Sequence, residues 1–455
     1  MVRFFVGLTA VSLLASACQP VWAQERPGKS ASGGHLKVSG SIRLRYEAID
    51  GQARAGFNAA DDLINVRTRL AAEYDAGAWK VGGELSDSRA YLQDRKTPIS
   101  TNEVDTFEPA QLYIIGNFGG GGKAAPKTSV EAGRFTVNMG SRRFVASDDF
   151  RNTTNSYSGL KVDTAWASGF NASGIYVLPN IRLPMDANGV FDNKTKLDRE
   201  TDALRLWGAT ITAPLGLTKA ALQPSYFHLA EDDQADLPTR NRNLDTYALR
   251  YFREPAPKTF DFDVEAAGQS GDIRASTAPN AVKQDVWATF VHAELGYSWT
   301  NSWKPRLDVE YDWASGDKPG GAYNRFDTLF GMRRAEIAPT GLYNAVGRAN
   351  ISAPGLRLEI TPSPRWDAFA TWKLLYLASA TDSFSTTGVR DATGRSGKFA
   401  GNQFDARFRY WIVPQKLRFE TNLVYLAKSD FLRTAPNAPR SGDTKYAAFD
   451  LTASF

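Results

Sequence analysis

From about residue 36 to the last residue the chain alternates apolar with polar side chains, in stretches separated by clusters of Gly, Pro, Asn, Asp and Ser. A period of two marks a strand, because successive side chains on a strand point to opposite faces. The closing stretch shows it plainly. Ala447, Phe449, Leu451, Ala453 and the terminal Phe455 share one face, and Ala448, Asp450, Thr452 and Ser454 share the other. Strands of about ten residues, apolar outside and polar inside, suit a sheet closed into a barrel within a bilayer. Past the N-terminus there is no run of about 18 apolar residues, which excludes a membrane protein built of helices. Trp 11, Tyr 17 and Phe 26 fit rings gathered at two bilayer interfaces.

Arg3, the apolar run Phe4 to Ala17 and the small-residue site Val21-Trp22-Ala23 predict a secretory signal peptide over 1–23. A rival is a lipoprotein signal ending at Cys18, after Leu14-Ala15-Ser16-Ala17. Cys18 is the single cysteine, so cleavage after Ala23 leaves no thiol for a disulfide or a metal. Export across the inner membrane of a diderm bacterium follows.

A short periplasmic segment over 24–35 and one barrel domain over 36–455 are expected next. The predicted strands are 36–47, 63–75, 79–91, 106–117, 128–140, 157–166, 169–178, 202–213, 218–231 and 243–253. They continue at 258–271, 285–299, 304–315, 350–361, 365–379, 402–412, 415–428 and 445–455. That makes about eighteen, an even number as single-chain bacterial barrels prefer. Tight links such as Pro362-Ser363-Pro364 belong to the periplasmic side, and long loops such as 179–201, 316–349 and 380–401 to the exterior. A closed sheet leaves no unpaired edge in lipid. Barrels of about 16 to 18 strands enclose an aqueous channel. The stretches 140–151 and 316–349 are candidates for folding inward and narrowing it.

Alternation also sorts the charges. Arg43, Arg45, Arg67, Arg69, Arg407, Arg409, Lys416 and Arg418 are predicted to face the lumen from strands one, two, sixteen and seventeen. Their acids, Glu47, Glu73, Asp405 and Glu420, are fewer. Across the lumen, strands eleven to thirteen present Asp261, Asp263, Glu265, Glu294, Asp308, Glu310 and Asp312 against a single Arg306. A transverse field results, and anions should track the arginine side, where a planar guanidinium can grip a carboxylate with two hydrogen bonds. Pairing between neighbouring strands is the structural alternative for any one of these residues.

Catalytic patterns are nearly absent. His35, His228 and His292 stand apart, with no HxxxH or HExxH spacing for a metal. His292 with Glu294 imitates part of a hydrolase triad, but both are expected in the lumen, away from lipid. Gly119 to Gly122 before Lys123 lacks phosphate-loop spacing and reads as a turn. No enzyme, no cofactor, no metal and no nucleic-acid partner is expected.

The order Gly133-Arg134-Phe135, Gly140-Ser141-Arg142-Arg143-Phe144, Asp149-Phe150-Arg151-Asn152-Thr153 and Tyr157-Ser158-Gly159-Leu160-Lys161 resembles the alginate export family of outer-membrane proteins. So do Tyr311-Asp312-Trp313-Ala314-Ser315-Gly316-Asp317-Lys318, then Arg325 to Gly331, and more weakly Glu84 to Arg89. The resemblance implies an eighteen-stranded monomeric barrel whose arginine-lined pore passes a polyanionic uronate polymer outward. On it, Arg134, Arg142, Arg143 and Arg151 join the candidate pathway, and periplasmic export proteins join lipid and lipopolysaccharide as partners. The opposed walls favour a second class, an uptake porin for small polar or anionic nutrients. An adhesin would have no need of separated lumen charge.

Overall fold

The computed structural model describes residues 34–455 apart from 121, 123, 124, 235 and 335. The expected signal peptide, Cys18 and most of the 24–35 segment lie outside the described residues, as do Gly121 and Lys123 of the glycine turn. The strands, in chain order, are β1 (His35–Asp50), β2 (Ala60–Asp75), β3 (Trp79–Tyr91), β4 (Asp105–Gly119), β5 (Lys127–Phe135), β6 (Tyr157–Ala165), β7 (Asn171–Pro179), β8 (Leu204–Pro214) and β9 (Ala221–Glu231). The second half is β10 (Asn243–Arg253), β11 (Phe260–Arg274), β12 (Lys283–Ser298), β13 (Arg306–Ala314), β14 (Ile351–Ser363), β15 (Trp366–Tyr376), β16 (Phe399–Val413), β17 (Leu417–Lys428) and β18 (Thr444–Ser454). They form one 18-stranded sheet, each strand paired to its sequence neighbour, and β1 pairs antiparallel with β18 to close it. Among the described residues no helix is long and apolar enough to cross a membrane.

Alternation fixes the register. On β1, Leu36, Val38, Ile42 and Leu44 are exposed on the outer face while Arg43, Arg45 and Glu47 are buried inside. Rings mark both rims: Tyr74 and Trp79 lie 5.6 Å apart beside one short turn, and Trp303 and Trp366 5.8 Å apart near two others. At the long-loop rim, Tyr91, Phe107 and Trp287 are exposed. The expected strand 128–140 is shorter: β5 stops at Phe135. Beyond it the chain leaves the wall, and Met139 N turns back to the Val145 carbonyl at 3.1 Å. Lys416, expected in the lumen, sits exposed in the turn between β16 and β17, because β17 starts only at Leu417.

Both candidate stretches fold inward. The 136–156 and 315–350 loops meet inside the barrel: Phe330 N donates to Phe144 O at 2.9 Å, Ala146 N to Phe330 O at 3.1 Å, and Met332 N to Arg142 O at 3.1 Å. Backbones this close need a glycine, since a Cβ at Gly331 would run into the Arg143 carbonyl. An apolar core forms around the joint. Phe144 lies 6.3 Å from Phe227, 6.1 Å from Phe290 and 6.3 Å from Phe326, so side chains of both loops pack on β9 and β12. Burial of aromatic rings anchors loops that would otherwise be solvated.

Candidate functional site

On the β1–β2 wall the arginines hold the 136–156 loop. Arg43 donates to the carbonyls of Asp149 and Phe150 (both 3.3 Å) and of Arg151 (2.8 Å). Arg45 donates to Phe150 O at 2.9 Å and to Asp450 at 2.6 Å, and its guanidinium lies 4.1 Å from the centre of the Phe150 ring. Arg67 bonds the carbonyls of Asp149 and Arg151, both at 3.1 Å, and Arg69 bonds the Asp149 carboxylate at 3.0 Å. Arg43, Arg45 and Arg67 are only 4%, 2% and 6% exposed, so these three form a clamp on a loop, where the sequence suggested a surface open to solute. Burial opposes ionisation of Asp149, but Arg67, Arg69 and Arg43 outweigh it and hold the carboxyl down to about 2.

The acidic wall is a grid. Register sets Asp261, Gly296 and Asp308 in one row, Asp263, Glu294 and Glu310 in the next, and Glu265, His292 and Asp312 in the third. The single Arg306 expected on β11–β13 is joined at the grid by cations from other elements. Arg306 does bond Asp261, Glu294 and Asp308. However, Arg250 on β10 pairs with Asp263 at 2.8 Å, and Lys373 on β15 reaches Asp312 at 2.7 Å and Glu310 at 3.3 Å. Arg143, assigned from sequence to the basic pathway, crosses to this wall and bonds Glu265 at 2.7 Å, Asp263 at 2.9 Å and Glu336 at 2.6 Å. Sequence reasoning missed these partners because one comes from the adjacent β10, one from β15 beyond β14, and one from a loop. Round the barrel, β11 stands nine strands from β2, halfway, whereas β13 stands only three from β16, so the grid lies across from the β1–β2 part of the basic wall and flanks the β16–β17 part. Each of the seven acids is thus paired with a cation of the protein.

His292 is fully buried, with Nδ1 2.9 Å from Asp312, and belongs to this network. Arg134 is remote from both walls and bonds Glu108 and Glu200. Arg142 takes a φ of 68° at the loop tip. Arg407 and Arg409 pair with Asp367 at 3.2 and 3.0 Å, and Arg418 with Glu420 at 3.4 Å. These last three remain partly exposed, near the short-turn ends of β16 and β17. Phe369 carries three cations on its ring, with Arg357 at 3.9 Å, Arg407 at 4.7 Å and Arg334 at 4.9 Å.

Above the joined loops, at the long-loop mouth, two cavities of about 300 and 510 Å³ share Thr328 and Arg333 in their walls. Arg151 and Arg182 line the smaller one. Among the described residues, neither Arg182 nor Arg333 has a carboxylate partner. Arg182 bonds Thr101 O at 2.9 Å, Asn155 at 2.8 Å and Asn102 at 3.0 Å, and Arg333 bonds Asn344 at 2.6 Å. Burial and the nearby Arg151 bring Arg182 down to about 10, and burial with Arg151, Arg348 and Arg54 does the same for Arg333. Both stay cationic at neutral pH in surroundings that an arriving anion would relieve. Arg182 and Arg333 were not singled out from sequence. The dibasic Arg333-Arg334 pair, just after the apolar Leu329-Phe330-Gly331-Met332, was the available signal.

A search of curated proteins returns no sequence match. Solved structures with the same fold include Pseudomonas aeruginosa OccK8 (OprE), with a TM-score of 0.56 and 14% identity over 92% of this chain and 98% of that one. P. aeruginosa OpdO gives 0.56 and 13% over 92% and 97%. OccK2 (OpdF) from the same organism, solved in complex with glucuronate, gives 0.54 and 11% over 92% and 96%. The family described as alginate export matches residues 35–443. With a closed 18-stranded barrel and a match along nearly its whole described length, this chain belongs to the alginate export family and is a channel of the Gram-negative outer membrane.

Proposed function

We propose that this channel passes small carboxylate-bearing saccharides, uronates or short uronate oligomers, and that its extracellular mouth selects them by charge. The observation that carries the reading is the pair of half-buried guanidiniums, Arg182 and Arg333, that face the vestibule without a carboxylate partner among the described residues, with Arg151 beside them. Cavities of 300 and 510 Å³ fall in the range of about 300–1,000 Å³ that small ligands occupy. Weak, repeated contacts allow a solute to enter and still leave. From the mouth an anion would pass the joined loops and meet Arg407, Arg409 and Arg418 toward the periplasm. The glucuronate bound to the structurally similar OccK2 is consistent with that chemistry.

Family membership favours a second reading, outward passage of an acidic polysaccharide of the alginate type. It requires the 136–156 and 315–350 loops to separate, because their shared hydrogen bonds cross the path of a polymer. Reversal potential in a planar bilayer under a KCl gradient tests both. Anion selectivity that falls in Arg182→Gln and Arg333→Gln, with current blocked by glucuronate added outside, supports small-uronate passage. Block only by oligomannuronate from the periplasmic side supports export. Cation selectivity with no block by either anion overturns both readings.

A further inference from the structure

Among the described residues, three groups of metal-ligating side chains lie close enough to share an ion: His292, Asp312 and Glu336; Glu294, Asp308 and Glu310; and Asp105, Glu108 and Asp198. The first two already hold cations of the protein. Arg143 and Arg348 bond Glu336, Lys373 bonds Asp312 and Glu310, and Arg306 bonds Glu294 and Asp308. The third group is different. Arg134 serves Glu108 and Glu200, and among the described residues neither Asp105 nor Asp198 has an ion pair. Asp105 is only 6% exposed, yet its Oδ1 has no hydrogen-bond partner.

Local backbone explains how two acids three residues apart come to share one face. The β3–β4 register slips between Ser86 and Ser88, and Phe107 opposite takes a φ of 55° while its ring points outward. Such a bulge re-aims side chains, here turning both Asp105 and Glu108 inward. The 180–203 loop then lays Asp198 over them. Asp198 N donates to Glu108 at 2.9 Å, and Asp198 accepts from Leu183 N at 2.8 Å. One oxygen from each of the three carboxylates lies within 4.8 Å of the others. Ca²⁺ binds oxygens at about 2.3–2.6 Å, so ligands on opposite sides of one ion stand up to ~5 Å apart.

The charge count agrees. Asp105, Glu108, Asp198 and Glu200 bring four negative charges, against the two positive ones of Arg134 and Arg182, whose guanidinium is bonded to amide and carbonyl oxygens. Two negative charges remain, the charge of one divalent cation.

We propose that Asp105, Glu108 and Asp198 bind one divalent cation of the Ca²⁺ type, which ties the 180–203 loop, and with it Arg182 of the vestibule, to β4. An all-oxygen donor set suits Ca²⁺ over softer metals. Its position among the extracellular loops points to a weak site, on the order of 10⁻⁴–10⁻³ M. The proposal does not depend on which solute the channel carries.

The test uses protein refolded free of lipopolysaccharide in an uncharged detergent. Equilibrium dialysis with ⁴⁵Ca²⁺ should show one saturable site per chain, with affinity at least tenfold lower in Asp105→Asn and in Asp198→Asn. Thermal unfolding supplies a second readout. Without Ca²⁺ the Asp105→Asn variant, relieved of repulsion, should melt above wild type, and in excess Ca²⁺ below it. Absence of a saturable site in wild type, unchanged binding in both variants, or melting curves ordered the same way with and without Ca²⁺ would overturn the proposal.

Discussion

Asp149→Asn should loosen the joined loops without disturbing the barrel wall. The Asp149 carboxyl falls from 3.8 to about 2 in the folded protein, held against the cost of burial by Arg67, Arg69 and Arg43. At about 1.4 kcal/mol for each tenfold change in the ionisation constant, that difference amounts to about 2 kcal/mol of docking energy. Because the folded value is depressed, that stabilisation is fully present above 3.8 and is lost as the pH falls through about 2. Asparagine keeps the size of the side chain and removes the charge. The carbonyl bonds from Arg43 and Arg67 remain, so the loop should undock transiently and stay part of the fold. The population with the loop undocked should rise by a factor on the order of tens at neutral pH, as about 2 kcal/mol implies. Single-channel recording in a planar bilayer reads this as more frequent high-conductance events. Trypsin reads it as cleavage after Arg142, Arg143 or Arg151, which the docked loop protects. Wild type should acquire the same behaviour on acidification from about pH 4 toward 2, and the variant should lose that pH response. If variant and wild type give the same traces, and acid opens both alike, the clamp reasoning is wrong.

Gly331→Ala should also raise trypsin sensitivity of the 136–156 loop, because the new methyl meets the Arg143 carbonyl; overpacking of this kind costs about 1–3 kcal/mol. Unlike Asp149→Asn it should leave the acid response in place, and an unchanged digestion pattern would show that the backbone joint is not what holds the loops. Lys373→Met leaves Asp312 and Glu310 buried with a cation removed, and breaking a buried pair from one side costs about 3–5 kcal/mol. The heat-dependent gel shift of the folded barrel should then be lost at a lower temperature, and equal melting would mean His292 and water suffice.

The strands were legible because each is read by two solvents at once. Lipid outside and a polar interior impose a period of two on every wall residue, so Leu36 to Tyr46 and Ala447 to Phe455 declare their faces without any partner in view. The inward loops left a fainter mark. Phe144-Val145-Ala146 is an apolar run, and Phe326, Leu329 and Phe330 add apolar side chains, in stretches that, as surface loops, would be polar, and their burial accounts for them.

What only the tertiary structure decided was the pairing of charge. Alternation shows that Arg43, Arg67 and Asp263 point inward, but it cannot say what meets them there. Arg143 travels from one side of the chain to bond Asp263 and Glu265 on β11, and Arg334 returns from another to bond Asp405 on β16. Arg182 and Arg333, far apart in sequence, are brought close by two loops with no periodicity. Periodicity records which solvent a residue faces, whereas ion pairs depend on distances across the lumen, and those are set when the sheet closes and the loops fall into it.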